Sequence, residues 1–213
     1  MFDCSVSRGT EHARHAPHET PTHALKYKTL AGVQNSQWFG RGLACAAGLV
    51  VVGSPGWRAD GNSSWEGVGM VQSFQLVSRA ATPSATVEGD SPQQQFGFSV
   101  AISGSVLLVG SPGHSPNAST FAGKLDAFDF PLVTQPTPPV WSIAGDQPFA
   151  RFGMTVTAAP VSDGRPSVVA VGQPHRKYVF RMSHGVWADA LQDRCGRRQS
   201  RRRCYFAPGP PRS

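Results

Sequence analysis

Read for hydrophobicity alone, residues 95–113, QFGFSVAISGSVLLVGSPG, hold two strands. Phe98, Val100 and Ile102 alternate with small or polar residues, and Val106 to Val109 run apolar without a break. Alternation with period two marks a strand covered on one face; a short unbroken run marks one covered on both. Ser103-Gly104-Ser105 between them is a tight hairpin turn. The same pattern stands earlier, in WFGRGLACAAGLVVVGSPG, with Arg41, Leu43 and Cys45 alternating, Ala46-Ala47-Gly48 as the turn and Leu49 to Val52 as the run. A third version, RFGMTVTAAPVSDGRPSVVAVGQP, places Met154, Val156 and Ala158 in register and ends in Gly-Gln-Pro where the others have Gly-Ser-Pro.

The Phe-Gly pairs fall at 39–40, 96–97 and 152–153, a nearly constant period that signals a repeat architecture. After each Gly-x-Pro stop the pattern predicts a polar loop and a third strand: Met70 to Leu76, Lys124 to Phe130 and Lys177 to Met182. A fourth strand follows in the first two copies, around Ala85 to Glu88 and Val140 to Ile143, and Glu88-Gly89-Asp90 and Ala144-Gly145-Asp146 lead into the next Phe-Gly. Gly permits close backbone approach and Pro ends a strand without needing a donor, so both motifs have a packing purpose. Four short antiparallel strands per copy describe a propeller blade.

On these residues (Phe-Gly, then Val-Gly-Ser-Pro, then a strand such as Gly123 to Phe128) the chain resembles the FG-GAP repeat family, found in the propellers of integrin α chains and of glycosylphosphatidylinositol-specific phospholipase D. The lead-in GDQPFARFG, 145–153, is especially similar to the phospholipase-associated repeats. The resemblance covers about residues 37–187. It implies an all-β fold: an incomplete β-propeller of two to three four-stranded blades, at about 37–92, 93–148 and 149–187 within a sector 35–187, flanked by disordered ends at 1–34 and 188–213. The segment from Gly185 to the end carries no strand pattern and is not expected to supply a fourth strand for the last copy. The resemblance further implies a non-catalytic ligand-binding or adhesion module of a secreted or cell-surface protein, whose partner is an extracellular protein, glycan or lipid-anchored surface molecule. The alternative is the propeller portion of a phospholipase D-like hydrolase whose catalytic domain is absent from this chain. On either reading the chain itself is not an enzyme. A sector leaves two blade faces without neighbours, so self-association or poor folding is expected.

Charge changes this picture little. The formal net charge of +7 comes from the tail, which carries seven arginines and no acid from Arg194 onward, while residues 31–193 carry nine basic and ten acidic groups. Arginines without an aromatic platform or helical spacing read as a solvated run, and no specific nucleic-acid partner is expected. No stretch approaches the roughly 20 apolar residues of a membrane span, and the first residues lack the apolar core of a signal peptide. A tail so unlike the body points to a fragment: a truncated, alternatively spliced or mis-predicted reading frame.

Candidate chemistry is sparse. Members of the family hold calcium in a D-x-D-x-D-G-x-x-D loop between the first two strands of a blade. Here the loops AAG and SGS have no carboxylate, and VSDGRPS retains only Asp163. One carboxylate leaves most of the coordination sphere to water, so neither calcium nor another cofactor is expected. His12, His15, His18 and His23 lie among prolines that interrupt any helix, and His114 and His175 read as surface loop residues. Cys45 reads as a small buried hydrophobe, while Cys195 and Cys204 could pair in an oxidising compartment. No nucleophile–base arrangement emerges. Asn62-Ser63-Ser64 and Asn117-Ala118-Ser119 are glycosylation sequons in the same loop of successive copies, which makes Asn62 and Asn117 the expected modification sites.

Overall fold

The computed structural model describes residues 29–61, 67–76, 78, 81–116, 120–132, 138–159, 168–174, 176–183 and 186–189. Among them there are twelve strands and no helix. The first sheet comprises β1 (Gly42–Ala46), β2 (Leu49–Ser54), β3 (Met70–Gln75) and β4 (Ala85–Glu88). The second comprises β5 (Ser99–Ser103), β6 (Val106–Ser111), β7 (Lys124–Asp129) and β8 (Trp141–Ala144). The third comprises β9 (Thr155–Ala159), β10 (Val168–Gln173), β11 (Arg176–Ser183) and β12 (Val186–Asp189). Within each sheet the strands follow chain order and pair antiparallel.

The hairpin turns are where the pattern puts them. Ala47 and Gly48 both have positive φ (51° and 73°), as a type I′ turn requires, whereas the next hairpin needs only Gly104, at φ 57°. β8 runs Trp141–Ala144, within a residue of the expected span, and the Val140 N–H donates to the Ala127 carbonyl of β7 at 2.7 Å. One expectation is corrected. The third sheet also has a fourth strand, β12, in the segment read as patternless and running past the boundary drawn at 187. It pairs through its backbone with β11, Ser183 opposite Val186 and Phe180 opposite Asp189.

Two cores separate the three sheets. Val51, Val71 and Ala85 of the first sheet meet Val100, Leu107, Val109 and Phe128 of the second. Leu108, Leu125, Ala127 and Ile143 of the second meet Ala158, Val169 and Val171 of the third. The unbroken apolar run of β6 thus serves both sides, Leu107 and Val109 facing one core and Leu108 the other. The backbones of successive sheets approach at β1, β5 and β9 and diverge toward the third and fourth strands.

The repeated motifs build the joints between sheets. A Cβ at Gly53, in the first Gly-Ser-Pro, would lie 1.9 Å from the carbonyl oxygen of Gly97, in the second Phe-Gly. One at Gly110 would lie 2.1 Å from the carbonyl oxygen of Gly153, in the third. Each Gly-Ser-Pro is therefore the seat of the next Phe-Gly, and no side chain fits between. The residue before each Phe is held left-handed: Trp38 at φ 56°, Gln95 at 57° and Arg151 at 52°. This conformation aims two successive N–H groups at the preceding sheet. Gln95 and Phe96 donate to Gly67 and Val68, at 3.1 and 3.0 Å, and Arg151 and Phe152 donate to Phe121 and Ala122, at 3.0 and 2.9 Å. These acceptors lie in the connections 55–69 and 112–123. Between β10 and β11 only Pro174 and His175 remain. The Phe of the pair then lies against a Phe on the third strand of its own sheet: Phe39 meets Phe74 and Phe96 meets Phe128 edge-to-face, with centroids 6.1 and 5.9 Å apart.

Candidate functional site

Two positions of the second copy differ in charge from the first. By register, Lys124 and Asp126 of β7 stand where the first sheet has Met70 and Gln72. Strand alternation points both toward the first sheet, so a charged pair replaces a thioether and an amide at an inward position. Lys124 Nζ lies 3.1 Å from Asp126 Oδ2 and 3.3 Å from Asp90 Oδ2. Asp126 is 1% exposed, and the Ser142 hydroxyl of β8 donates to its other oxygen at 2.5 Å. Asp90 belongs to the lead-in before the second Phe-Gly, so the ammonium ties that lead-in to the middle of the second sheet.

The lead-in is itself fixed from within. Gln94 is buried, and its Oε1 accepts the Asp90 and Ser91 N–H groups at 2.8 and 3.1 Å. The Ser91 hydroxyl donates to Asp90 Oδ1 at 2.7 Å. The Gln94 carbonyl accepts from Gly113 N–H at 3.1 Å, as Gln37 accepts from Gly56 at 3.0 Å in the first copy. His114 follows directly. It is half-buried, and its Nδ1 is shielded from solvent without a partner. The expectation of a surface histidine is thus corrected: the turn after Gly-Ser-Pro-Gly folds it back toward Lys124, Asp90 and Asp126.

Electrostatics separates the two carboxyls. Burial pushes Asp126 above the usual carboxylate value, only partly opposed by Ser142 and Lys124. Burial also pushes Asp90 upward, but Ser91 and Lys124 together outweigh it and hold that carboxyl below its usual value. Burial and the Lys124 charge lower His114, against the pull of the two aspartates. An ammonium clasped by two carboxylates with an imidazole nearby can hold a joint or meet a polar ligand at its exposed rim, where Asp90 lies. Among the described residues no group of three or more His, Cys, Asp or Glu is arranged to hold a metal ion.

Asp163, Asn62, Asn117, His175, the four histidines from His12 to His23 and the arginine tail lie outside the described residues. Cys45 is within them, and there the expectation fails: it is half-buried and disulfide-bonded. The charged cluster was missed although it left a trace. Lys124 and Asp126 occupy positions whose counterparts in the first copy are uncharged, and a charge at an inward strand position is detectable by aligning the copies. A scan against protein-family models finds none that matches the chain, and a search of curated proteins finds no match either.

Proposed function

We propose that the chain is a sector of an FG-GAP-type β-propeller that acts as a non-catalytic binding module for an extracellular protein, glycan or lipid-anchored molecule. The observation that carries this reading is the joint repeated twice, Gly53 against Gly97 and Gly110 against Gly153, which rebuilds one contact at a fixed period along three stacked four-stranded sheets. Sheets closest at their first strands and diverging outward are what radial blades require. The strands serve as scaffold, and recognition falls to the connections at one end, where Asp90, His114 and Lys124 gather and where the sequons of Asn62 and Asn117 stand in the sequence.

The test is expression of the full chain behind a secretory leader, followed by titration onto intact cells. Saturable binding that disappears when the cell surface is stripped with protease or glycosidase supports the reading. Material that is secreted and folded yet shows no saturable binding at micromolar concentration overturns it. A glycosidase-sensitive mass increase at Asn62 and Asn117 is expected on the same material.

A further inference from the structure

The lead-in to the third Phe-Gly carries Phe149 and Arg151 where the lead-in to the second carries Gln93 and Gln95. The connection that accepts its amides has Phe121 where the earlier one has Gly67. The joint does not ask for these side chains. The position of Phe149 is left-handed in all three copies, at φ 59° for Ser36, 61° for Gln93 and 58° for Phe149, and a serine or a glutamine serves there equally well. Yet Phe149 is 65% exposed. Phe121 is half-buried and held left-handed at φ 39°, a conformation that Gly67 does not adopt. A bulky side chain on such a backbone is unfavourable, and where packing does not require it the observation points to a use.

The three side chains form one strip. The rings of Phe121 and Phe149 stand 6.3 Å apart between centroids and are tilted by 41°. Arg151 Cζ lies 5.5 Å from the Phe121 centroid. The backbone fixes all three: Phe149 N–H donates to the Thr120 carbonyl at 2.5 Å, Arg151 N–H to the Phe121 carbonyl at 3.0 Å and Phe121 N–H to Ser115 Oγ at 2.9 Å. A strip held this way has little freedom to lose when it binds. Among the described residues no carboxylate lies within ion-pair distance of Arg151. A guanidinium resting by its face on a ring can still turn its N–H edge to an acid.

We propose that this strip docks an extended acidic segment of a partner protein, with an apolar side chain against Phe121 and Phe149 and a carboxylate two residues along on Arg151. Side chains on one face of an extended chain are spaced by about 6.5 Å. The steps along the strip, 6.3 and 5.5 Å, suit that spacing. Aromatic rings with arginine are also the side chains in which protein interfaces are enriched. A glycan is served less well: Pro148 beside Phe149 and Pro116 beside Ser115 are exposed and offer its hydroxyls no donor. The inference rests on the binding-module reading above and gives that module a class of partner.

The test uses the full chain on arrayed short peptides at physiological salt. Each peptide carries Leu, Phe or Trp with Asp or Glu two residues along, and is paired with its Asn or Gln version; acidic glycans are arrayed beside them. The comparison protein is the double variant Phe149→Gln with Arg151→Gln, which installs the residues of the earlier lead-in. The arginine tail is present in both proteins, so its attraction for acids cancels. The parent should retain acidic peptides at least about tenfold better than their amides, and the double variant should lose that preference while melting as the parent does. No preference for acid, or one that the double variant keeps, overturns the proposal. So does a variant-sensitive signal confined to the glycans, or a double variant that no longer melts cooperatively, which would make the strip part of the joint. Titration onto cells separates this from the reading beneath it. Cell binding unchanged in the double variant overturns the strip alone, whereas no cell binding by the parent overturns the module itself.

Discussion

The two joints between sheets are alike in backbone and unlike in side chain. Both seat a Phe-Gly on a Gly-Ser-Pro, and both pass two N–H groups to the preceding connection. Between the first and second sheets the remaining polar work is done by charge: Lys124, Asp126 and Asp90. Between the second and third it is done by neutral hydroxyls, with Ser99 Oγ donating to the Gly153 carbonyl at 2.8 Å and Ser103 Oγ to the Ala159 carbonyl at 3.0 Å. What recurs is what the architecture demands. What differs is free of that demand, which is why the charged cluster, and not the strained lead-ins, is the candidate for a specific role. A non-glycine residue in the left-handed region ordinarily invites a functional explanation. Here it occurs at the same place three times, at Trp38, Gln95 and Arg151, and belongs to the joint.

The largest effect should come from the shared part. Gly53→Ala and Gly110→Ala each drive a methyl into a backbone oxygen that cannot swing away, and each should cost about 4 kcal/mol or more. Urea melts of the two variants check this; a large loss at one joint and none at the other would break the equivalence. The charged joint comes next. Lys124→Met leaves Asp126 buried with only Ser142 and should cost about 3 kcal/mol. The pair Lys124→Met with Asp126→Gln installs the residues of the first sheet and should recover most of that loss. If the double variant is as unstable as the single one, the cluster is more than a joint. At the neutral joint, Ser99→Ala or Ser103→Ala removes one donor and should cost about 1 kcal/mol, with no rescue at the charged joint and no coupling to it.

The smallest effect is pH-dependent and confined to the charged joint. The folded pKa of His114 lies below its ordinary 6.5, so its contribution is complete above 6.5. It is lost as pH falls from there to the lowered value, because the unfolded chain takes up the proton first. Asp126 has the opposite sense. Its folded pKa lies above 3.8, so stability declines as pH rises from 3.8 to that value. Thermal melts across pH 4–7 should flatten at the upper end in His114→Gln and at the lower end in Asp126→Gln. Identical profiles in all three proteins would remove both groups from the account.

How much of this was legible beforehand depended on whether the signal was local. The alternation of Phe98, Val100 and Ile102, the double-sided run from Val106 to Val109 and the turn at Ala47-Gly48 are statements about neighbours in sequence, and the strands stand where those statements put them. The seating of Gly97 on Gly53 was legible only as a need for glycine, not as a partner, because the two lie in different copies. The charged cluster was less legible still. Lys124 gains Asp126 from its own strand but Asp90 from 34 residues away, a meeting produced by the joint itself. The bond of Cys45 left no local trace, since a cysteine on an alternating strand looks the same whether it faces a core or a partner thiol.

The two-residue link at Pro174-His175 gives the array a direction. Duplication of a unit can lengthen such a protein wherever the new copy finds two carbonyls for its incoming amides, and the first and second sheets both provide them. The third sheet has no connection of comparable length between its second and third strands, and a donor left without an acceptor would cost about 1–3 kcal/mol. A fourth unit seated as the second and third are would first need a longer link between β10 and β11.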